Sequence, residues 1–456
     1  MAAELDAKPL ILHWIWSLSL GGDAKNACAL AVEQSKWARV VVLTRLPDTG
    51  VRAKDLRMND IEVTGGIDSA TQVESLLGQL GQTPIAMIMH RNGRPDVVET
   101  QVLERFQRIT PCIEFSTFGR VDAATDELWS GHLFPSRSCL VQYSQRRNRT
   151  VAQLTRHWAV GYAMNLPPAI DAEERLAARQ KLGLAEHDFV ALRLQRPDLR
   201  KWDPLPILAI RRLVDRSEHI KIIVQAAPPQ RTAWLRDTLG DAAILLDPAE
   251  DQAVVRQTLA ASDCFLNYSH IGETFGLAMA EAMSCGIPPL TNSTPHMDNA
   301  QVEICTHGQN GLVANTLEGL CSALELLIKD PPYRLKLGSA AREFIASTFS
   351  AQAVERRVRR RLLEILSMRK ETGANGVPGV ADDDNYQLDE FWLNDLPRRT
   401  VLEHQFKGSP GQQMLDAQYV RFLRARDTFD YAAAIGPGQI LDVIARRIKR
   451  ASLKRD

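Results

Sequence analysis

The chain predicts an α/β protein: two doubly wound, parallel-sheet domains in tandem, then a mostly helical extension. Three observations carry this. Short apolar runs alternate with helical patterns over positions 10–116 and again over 189–368, as strands do when covering helices link them into a parallel sheet. The series breaks at Leu166-Pro167-Pro168-Ala169-Ile170-Asp171, where two prolines favour an extended crossing segment. A length of 456 residues allows two or three domains.

In order, the first series predicts strands at 10–16, 39–44, 61–63, 84–90 and 112–116, with helices at 23–36, 70–80 and 95–108. The apolar start, Leu10 to Trp16, follows acidic residues and lacks a small-residue cleavage site, so it reads as a first strand and not a leader. The second series predicts strands at 189–194, 220–224, 243–246, 264–268 and 287–290. Its helices fall at 204–216, 230–239, 253–261, 277–285, 317–328, 332–348 and 351–368, the last strongly basic. The stretch 370–385, rich in Gly, Asp and Asn, reads as a linker. The predicted domains are therefore 1–168, 169–369 and an extension over 386–456, with helical stretches at 412–425 and 439–453.

Lys and Arg total 55 and so do Asp and Glu. No global basic field exists, so nucleic acid is not an expected partner. The seven cysteines are scattered, with no Cys-x-x-Cys pair, and predict reduced core thiols and a cytoplasmic protein. No run approaches the length of a membrane-spanning helix. The ten histidines lack metal-ligand spacing, and Asp382-Asp383-Asp384 lies in the polar linker; no metal or cofactor is expected.

The chemistry concentrates in Gly272-Glu273-Thr274-Phe275-Gly276-Leu277-Ala278-Met279-Ala280-Glu281. A strand, a glycine-containing turn and an apolar helix follow one another. That order aims the first N–H groups and positive end of a helix at one point, which attracts phosphate. Glu273 in the loop and Glu281 on the helix can then hold hydroxyl groups on either side, as on a sugar joined to a nucleotide. The bland reading is a cap and a solvated charge, but Glu281 stands in an apolar run, an expensive place for an unpaired carboxylate. Arg196 and Lys201 follow the strand 189–194; they read as a solvated charged turn or as cations for a leaving diphosphate, with Arg200 a surface charge. Gly21-Gly22 opens the first helix without a dinucleotide fingerprint. His90 ends a strand, where a histidine is usually structural.

These residues, with Glu303-Ile304-Cys305 and Asn310-Gly311-Leu312-Val313, resemble the retaining GT-B glycosyltransferases marked by Glu, seven residues, Glu. The resemblance implies two Rossmann-like domains facing across a cleft and a metal-independent transfer of sugar from a nucleotide-diphosphate sugar to a carbohydrate or lipid-linked acceptor. It implies that Glu273 contacts the transferred sugar and Glu281 the ribose. The amides of Phe275, Gly276 and Leu277 meet the diphosphate, with Thr274 on the same donor side. Arg196 and Lys201 neutralise the diphosphate. Gly22 borders the donor phosphates, and His90 reaches the sugar from the first domain. Where the family often has a second histidine, Ser116-Thr117-Phe118-Gly119 stands, leaving the acceptor side undefined. A sugar-nucleotide epimerase of similar architecture and a non-catalytic binding protein are the competing readings. Residues Ile440–Arg455 put Ile440, Ile444 and Ile448 on one face among basic residues; contact with an anionic membrane surface and ordinary helix packing both fit.

Overall fold

The structure is a computed structural model that describes residues 8–369 except 20, 48, 49, 92, 94, 95, 121, 123, 218, 250, 295 and 296, together with 377–380, 386 and 425. The acidic run 382–384, nearly all of 386–456 and the basic stretch 440–455 lie outside the described residues.

Two parallel sheets form. The first holds β1 (Leu10–Ile15), β2 (Arg39–Thr44), β3 (Glu62–Thr64), β4 (Ala86–Arg91), β5 (Cys112–Ser116), β6 (Gly131–Phe134) and β7 (His157–Ala159). Their order is β3-β2-β1-β4-β5-β6-β7. The second holds β8 (Phe189–Leu194), β9 (Ile220–Gln225), β10 (Ala243–Leu246), β11 (Cys264–Asn267), β12 (Pro289–Thr291) and β13 (Leu312–Val313), ordered β10-β9-β8-β11-β12-β13. In each sheet the chain winds outward in one direction and then in the other. The direction reverses between β1 and β4, and between β8 and β11. Crevices at such reversals, beyond the carboxyl ends of the strands, receive ligands in open α/β sheets.

The central strands are buried along their length, β1 and β4 on every residue, which is why they read as unbroken apolar runs. Trp16, expected to close the first strand, falls outside it and is 42% exposed. The strand expected over 287–290 begins only at Pro289, and the one expected from Pro84 begins at Ala86; proline cannot donate to a ladder and sits at or before a strand start. Elements without an apolar period were missed. The helices Val51–Met58 and Ala172–Lys181 bury two residues each, and β6 and β7 are too short to show alternation. The helix Arg137–Arg146 was also missed. Most helices start on a side-chain cap: Ser69, Ser136, Asp171 and Thr316 each accept a backbone N–H, and Asp96 with Glu99 forms a capping box.

One apolar cluster runs through both domains and joins Tyr162, Phe275 and Phe349. The helix Ala351–Met368 returns to the first domain, where Glu355 accepts from Trp37 Nε1 at 2.8 Å and Arg369, just beyond it, donates to the Gln107 carbonyl at 2.9 Å. No helix among the described residues is long and apolar enough to cross a membrane.

The helix Pro331–Phe349 passes so near the turn after Leu277–Ser284 that a Cβ on Gly338 would lie 2.0 Å from the Gly286 carbonyl oxygen. Gly338→Ala is therefore expected to cost about 2–4 kcal/mol, because backbone must move. Gly78→Ala, in a helix with no atom within 4 Å of the added carbon, should gain about 0.5–1 kcal/mol. Urea denaturation of both variants checks the contrast.

Candidate functional site

The candidate residues gather where the two sheets reverse. Gly21-Gly22 and His90 stand at the ends of β1 and β4; Arg196 and Lys201 follow β8; residues 272–277 follow β11. The loop 272–276 is shaped by two glycines in left-handed conformations, φ 65° at Gly272 and 97° at Gly276. A Cβ on Gly272 would lie 1.6 Å from the Asp298 carbonyl oxygen, so only glycine fits. The loop is pinned further by the Gln301 side chain, which accepts from Glu273 N at 3.0 Å, and by Ala300 N, which donates to Glu273 O at 2.9 Å.

The helix Leu277–Ser284 begins differently from the capped helices. Gly276 occupies the cap position, and no side chain among the described residues accepts from its first amides. The positive helix end and its N–H groups remain available to an anion. Phe275 does not line this mouth with its ring, which is 1% exposed. The ring packs on Tyr162 and, edge-on, on Phe349, with centroids 5.2 and 5.1 Å away. It locks the loop into the shared core. Thr274 is tied across the domains: its carbonyl accepts from Cys139 Sγ at 3.4 Å.

Lys201 Nζ pairs with Glu273 Oε2 and donates to the Gly272 carbonyl at 3.3 Å. Both side chains are about one-seventh exposed (15% and 13%). Glu281 pairs with Lys25 of the first domain, whose Nζ also donates to Gln252 Oε1 at 3.2 Å. An apolar helix thus carries Glu281 because a cation from the facing domain neutralises it. Arg196 is exposed and outside the Lys201–Glu273 pair. Burial favours a raised Asp198 pKa, but hydrogen bonds from Arg200 and the charges of Arg200 and Arg196 outweigh it and hold that carboxyl below its ordinary value. Arg200 is a surface residue that grips Asp198 with Nε and Nη2, the latter at 2.7 Å.

Gly22 opens the first turn of the helix Gly22–Ser35, and a Cβ there would lie 3.5 Å from Leu277 Cδ2. The two domains therefore meet over the start of the uncapped helix. On the Glu281 side they leave a cleft of about 870 Å³, lined by Lys25, Arg52, Gln252, Leu277 and Glu281 among others. On the other side Glu303, expected only as part of the motif, supplies what the helix Arg137–Arg146 needs at its start. Its carboxylate accepts from Arg137 N at 3.2 Å, Arg137 Nε at 3.1 Å and Ser138 N at 3.3 Å. Tyr386 also donates to it.

His90 lies deeper than a ligand-facing residue. It is 2% exposed; its Nε2 is 2.9 Å from His13 Nδ1, and its Nδ1 has no hydrogen-bond partner among the described residues. His13 in turn meets Gln34 Oε1 at 2.6 Å. His90 stacks between His13 and Phe115, with centroids 5.2 and 5.4 Å away. Burial pushes His13 down to about 4 and His90 well below its ordinary value, the latter aided by His13. Both rings are neutral near pH 7. His13 escaped notice because it sits inside an apolar strand with no motif around it.

The sequence spacing gives no metal-ligand set, yet folding brings His187, Asp188 and His219 within 4.8 Å of one another. Three guanidiniums, of Arg175, Arg179 and Arg334, converge on Asp263 in the same cavity. Their charge opposes a divalent cation.

Comparison with known proteins bears on the same residues. The family model described as group 1 glycosyl transferases matches residues 205–330, a span that includes Glu273 and Glu281 but not Lys201 or the first domain. The D-inositol 3-phosphate glycosyltransferase of Stackebrandtia nassauensis is 26% identical over 200 residues, 40% of this chain and 44% of that protein. The chain thus matches less than half the length of that relative. Among solved structures, a glycosyltransferase from Rickettsia africae superposes with TM-score 0.64 and 14% identity over 79% of this chain and 99% of its own. Anabaena HepE in complex with UDP-glucose gives 0.56 and 18% over 79% and 99%. Starch synthase IV of Arabidopsis thaliana, bound to ADP and acarbose, gives 0.59 and 14% over 79% and 100%. These likenesses establish the two-domain GT-B fold.

The buried His13 predicts an acid-sensitive fold. With a folded value near 4 against 6.5 unfolded, the unfolded chain takes up a proton that the folded one refuses. The stabilisation is whole above pH 6.5 and is lost as pH falls toward 4, about 3 kcal/mol for this residue. Urea denaturation at pH 7 and pH 4.5 should show a smaller pH effect in His13→Gln than in the parent.

Proposed function

From the premise that this chain belongs to the group 1 glycosyltransferases, we propose that it moves a sugar from a nucleoside-diphosphate sugar to an acceptor hydroxyl, with retention at the anomeric carbon. The observation that carries the reading is the uncapped start of the helix Leu277–Ser284, set at a sheet reversal with Lys201 and Glu273 beside it.

In this reading the diphosphate lies at the helix start, against the amides of Phe275, Gly276 and Leu277. It draws Lys201 from Glu273, and Arg196 swings in from the exposed turn. Released from its ion pair, Glu273 accepts hydrogen bonds from the hydroxyls of the transferred sugar. Glu281 accepts from the ribose, and Thr274 and Gly22 border the phosphates. As the bond from the anomeric carbon to the diphosphate oxygen breaks, negative charge grows on the β-phosphate; Lys201, Arg196 and the helix end stabilise it more than they stabilise the ground state. The acceptor oxygen bonds to the anomeric carbon on the face the diphosphate leaves, and its proton passes to the departing phosphate. No protein nucleophile is required. His90, neutral and packed behind the site, contributes by fixing the end of β4 and reaches the sugar only through movement of its ring. The relatives carry UDP-glucose in one case and ADP in another, so the base of this chain's donor is assigned by experiment.

Lys201→Ala and Glu273→Gln should each lower turnover about 100-fold or more while circular dichroism and thermal unfolding stay near the parent's. Thermal shift with UDP, GDP, ADP and dTDP sugars selects the donor, and product analysis with and without an acceptor separates transfer from epimerisation. Undiminished turnover in both variants would overturn the assignment.

A further inference from the structure

The first turn of the helix Gly22–Ser35 and the first turns of Leu277–Ser284 touch at two points. Gly22 meets Leu277, and three residues on Lys25 meets Glu281, four residues after Leu277. Residues three and four apart share a helix face, so these contacts form one cross-domain seam. Lys25 is rooted by its own amide, which donates to the Gly21 carbonyl at 3.2 Å. Its ammonium is held by one oxygen of Glu281 and by Gln252 Oε1. Arg52, also from the first domain, lines the same cleft as Glu281. Both members of the pair are roughly one-quarter exposed (27% and 22%), so its strength is modest and a ligand can displace it.

We infer that Lys25 is a gate on the donor site: it occupies the carboxylate that the ribose hydroxyls need, so donor binding requires this cross-domain pair to open. The inference rests on the donor reading of Glu281 given above. A vicinal diol donates two hydrogen bonds and is held best by both oxygens of a carboxylate, whereas Lys25 claims one of them. The same pair ties the first domain to the helix Leu277–Ser284. Lys25 is therefore a positioning residue that acts through Glu281 and weakens nucleotide binding.

The test is isothermal titration of the full chain and of Lys25→Met with UDP, GDP and ADP, and with the 2′,3′-dideoxy form of each. Lys25→Met should bind the preferred nucleotide with a Kd about three- to tenfold lower than the parent, with KM for the sugar donor falling by a similar factor. The gain should vanish in a Glu281→Gln background and with the dideoxy nucleotide, and Lys25→Arg should restore parent behaviour. An unchanged or raised Kd in a folded Lys25→Met protein overturns the gate; if Glu281→Gln or loss of the hydroxyls still weakens the parent's binding, the donor reading stands. If neither weakens it, the donor reading of Glu281 fails as well. Absence of binding by all three nucleotides in parent and variant overturns both.

Discussion

A helix that starts without a cap of its own is the constraint around which this molecule is arranged. The turn before Leu277 uses two left-handed glycines, one of them pressed against a backbone carbonyl, and the helix opens on bare amides. Unsatisfied amides have a cost that helices such as Ala70–Leu80, Arg137–Arg146, Ala172–Lys181 and Leu317–Lys329 avoid with Ser, Asp or Thr. The helix can bear it because tertiary packing holds it: the Phe275 ring in the shared core, and Pro331–Phe349 passing at the contact distance only glycine allows. The stability that holds the site thus comes from apolar packing behind it.

Charge is arranged on the same principle. Each carboxylate of the site meets a cation at a domain or strand boundary: Glu273 with Lys201, Glu281 with Lys25, Glu303 with Arg137. The Glu303 carboxylate is nearly dry and also accepts from two amides of a helix start, a structural joint between domains. The other two carboxylates are more open to solvent, at 13% for Glu273 and 22% for Glu281. Burial thus separates a carboxylate that holds the domains together from two that can change partners.

Much of this was legible in the residues. Among the described residues, ten of the thirteen strands stand close to the apolar runs that announced them, most plainly where a strand is buried on both faces and leaves an unbroken signal. Edge strands such as His157–Ala159 and mostly charged helices such as Ala172–Lys181 leave none. The helix Leu277–Ser284 and its glycine turn were visible because chirality restricts positive φ largely to glycine. His13, Lys25 and the His187–Asp188–His219 cluster were not, since each owes its surroundings to residues distant in the chain.

What the sequence by itself determined is local: which segments are strands, where the turns must be glycine, and which helix begins at a phosphate-attracting turn. These depend on periodicity and backbone stereochemistry, which act over a few residues. Only the tertiary structure decided what each charged or titratable group faces. Glu281 meets a lysine 256 residues away, Glu303 caps a helix of the other domain, and His90 sits neutral behind the site. Electrostatic energy depends on distance and burial in three dimensions, and neither is written in the spacing of residues along the chain.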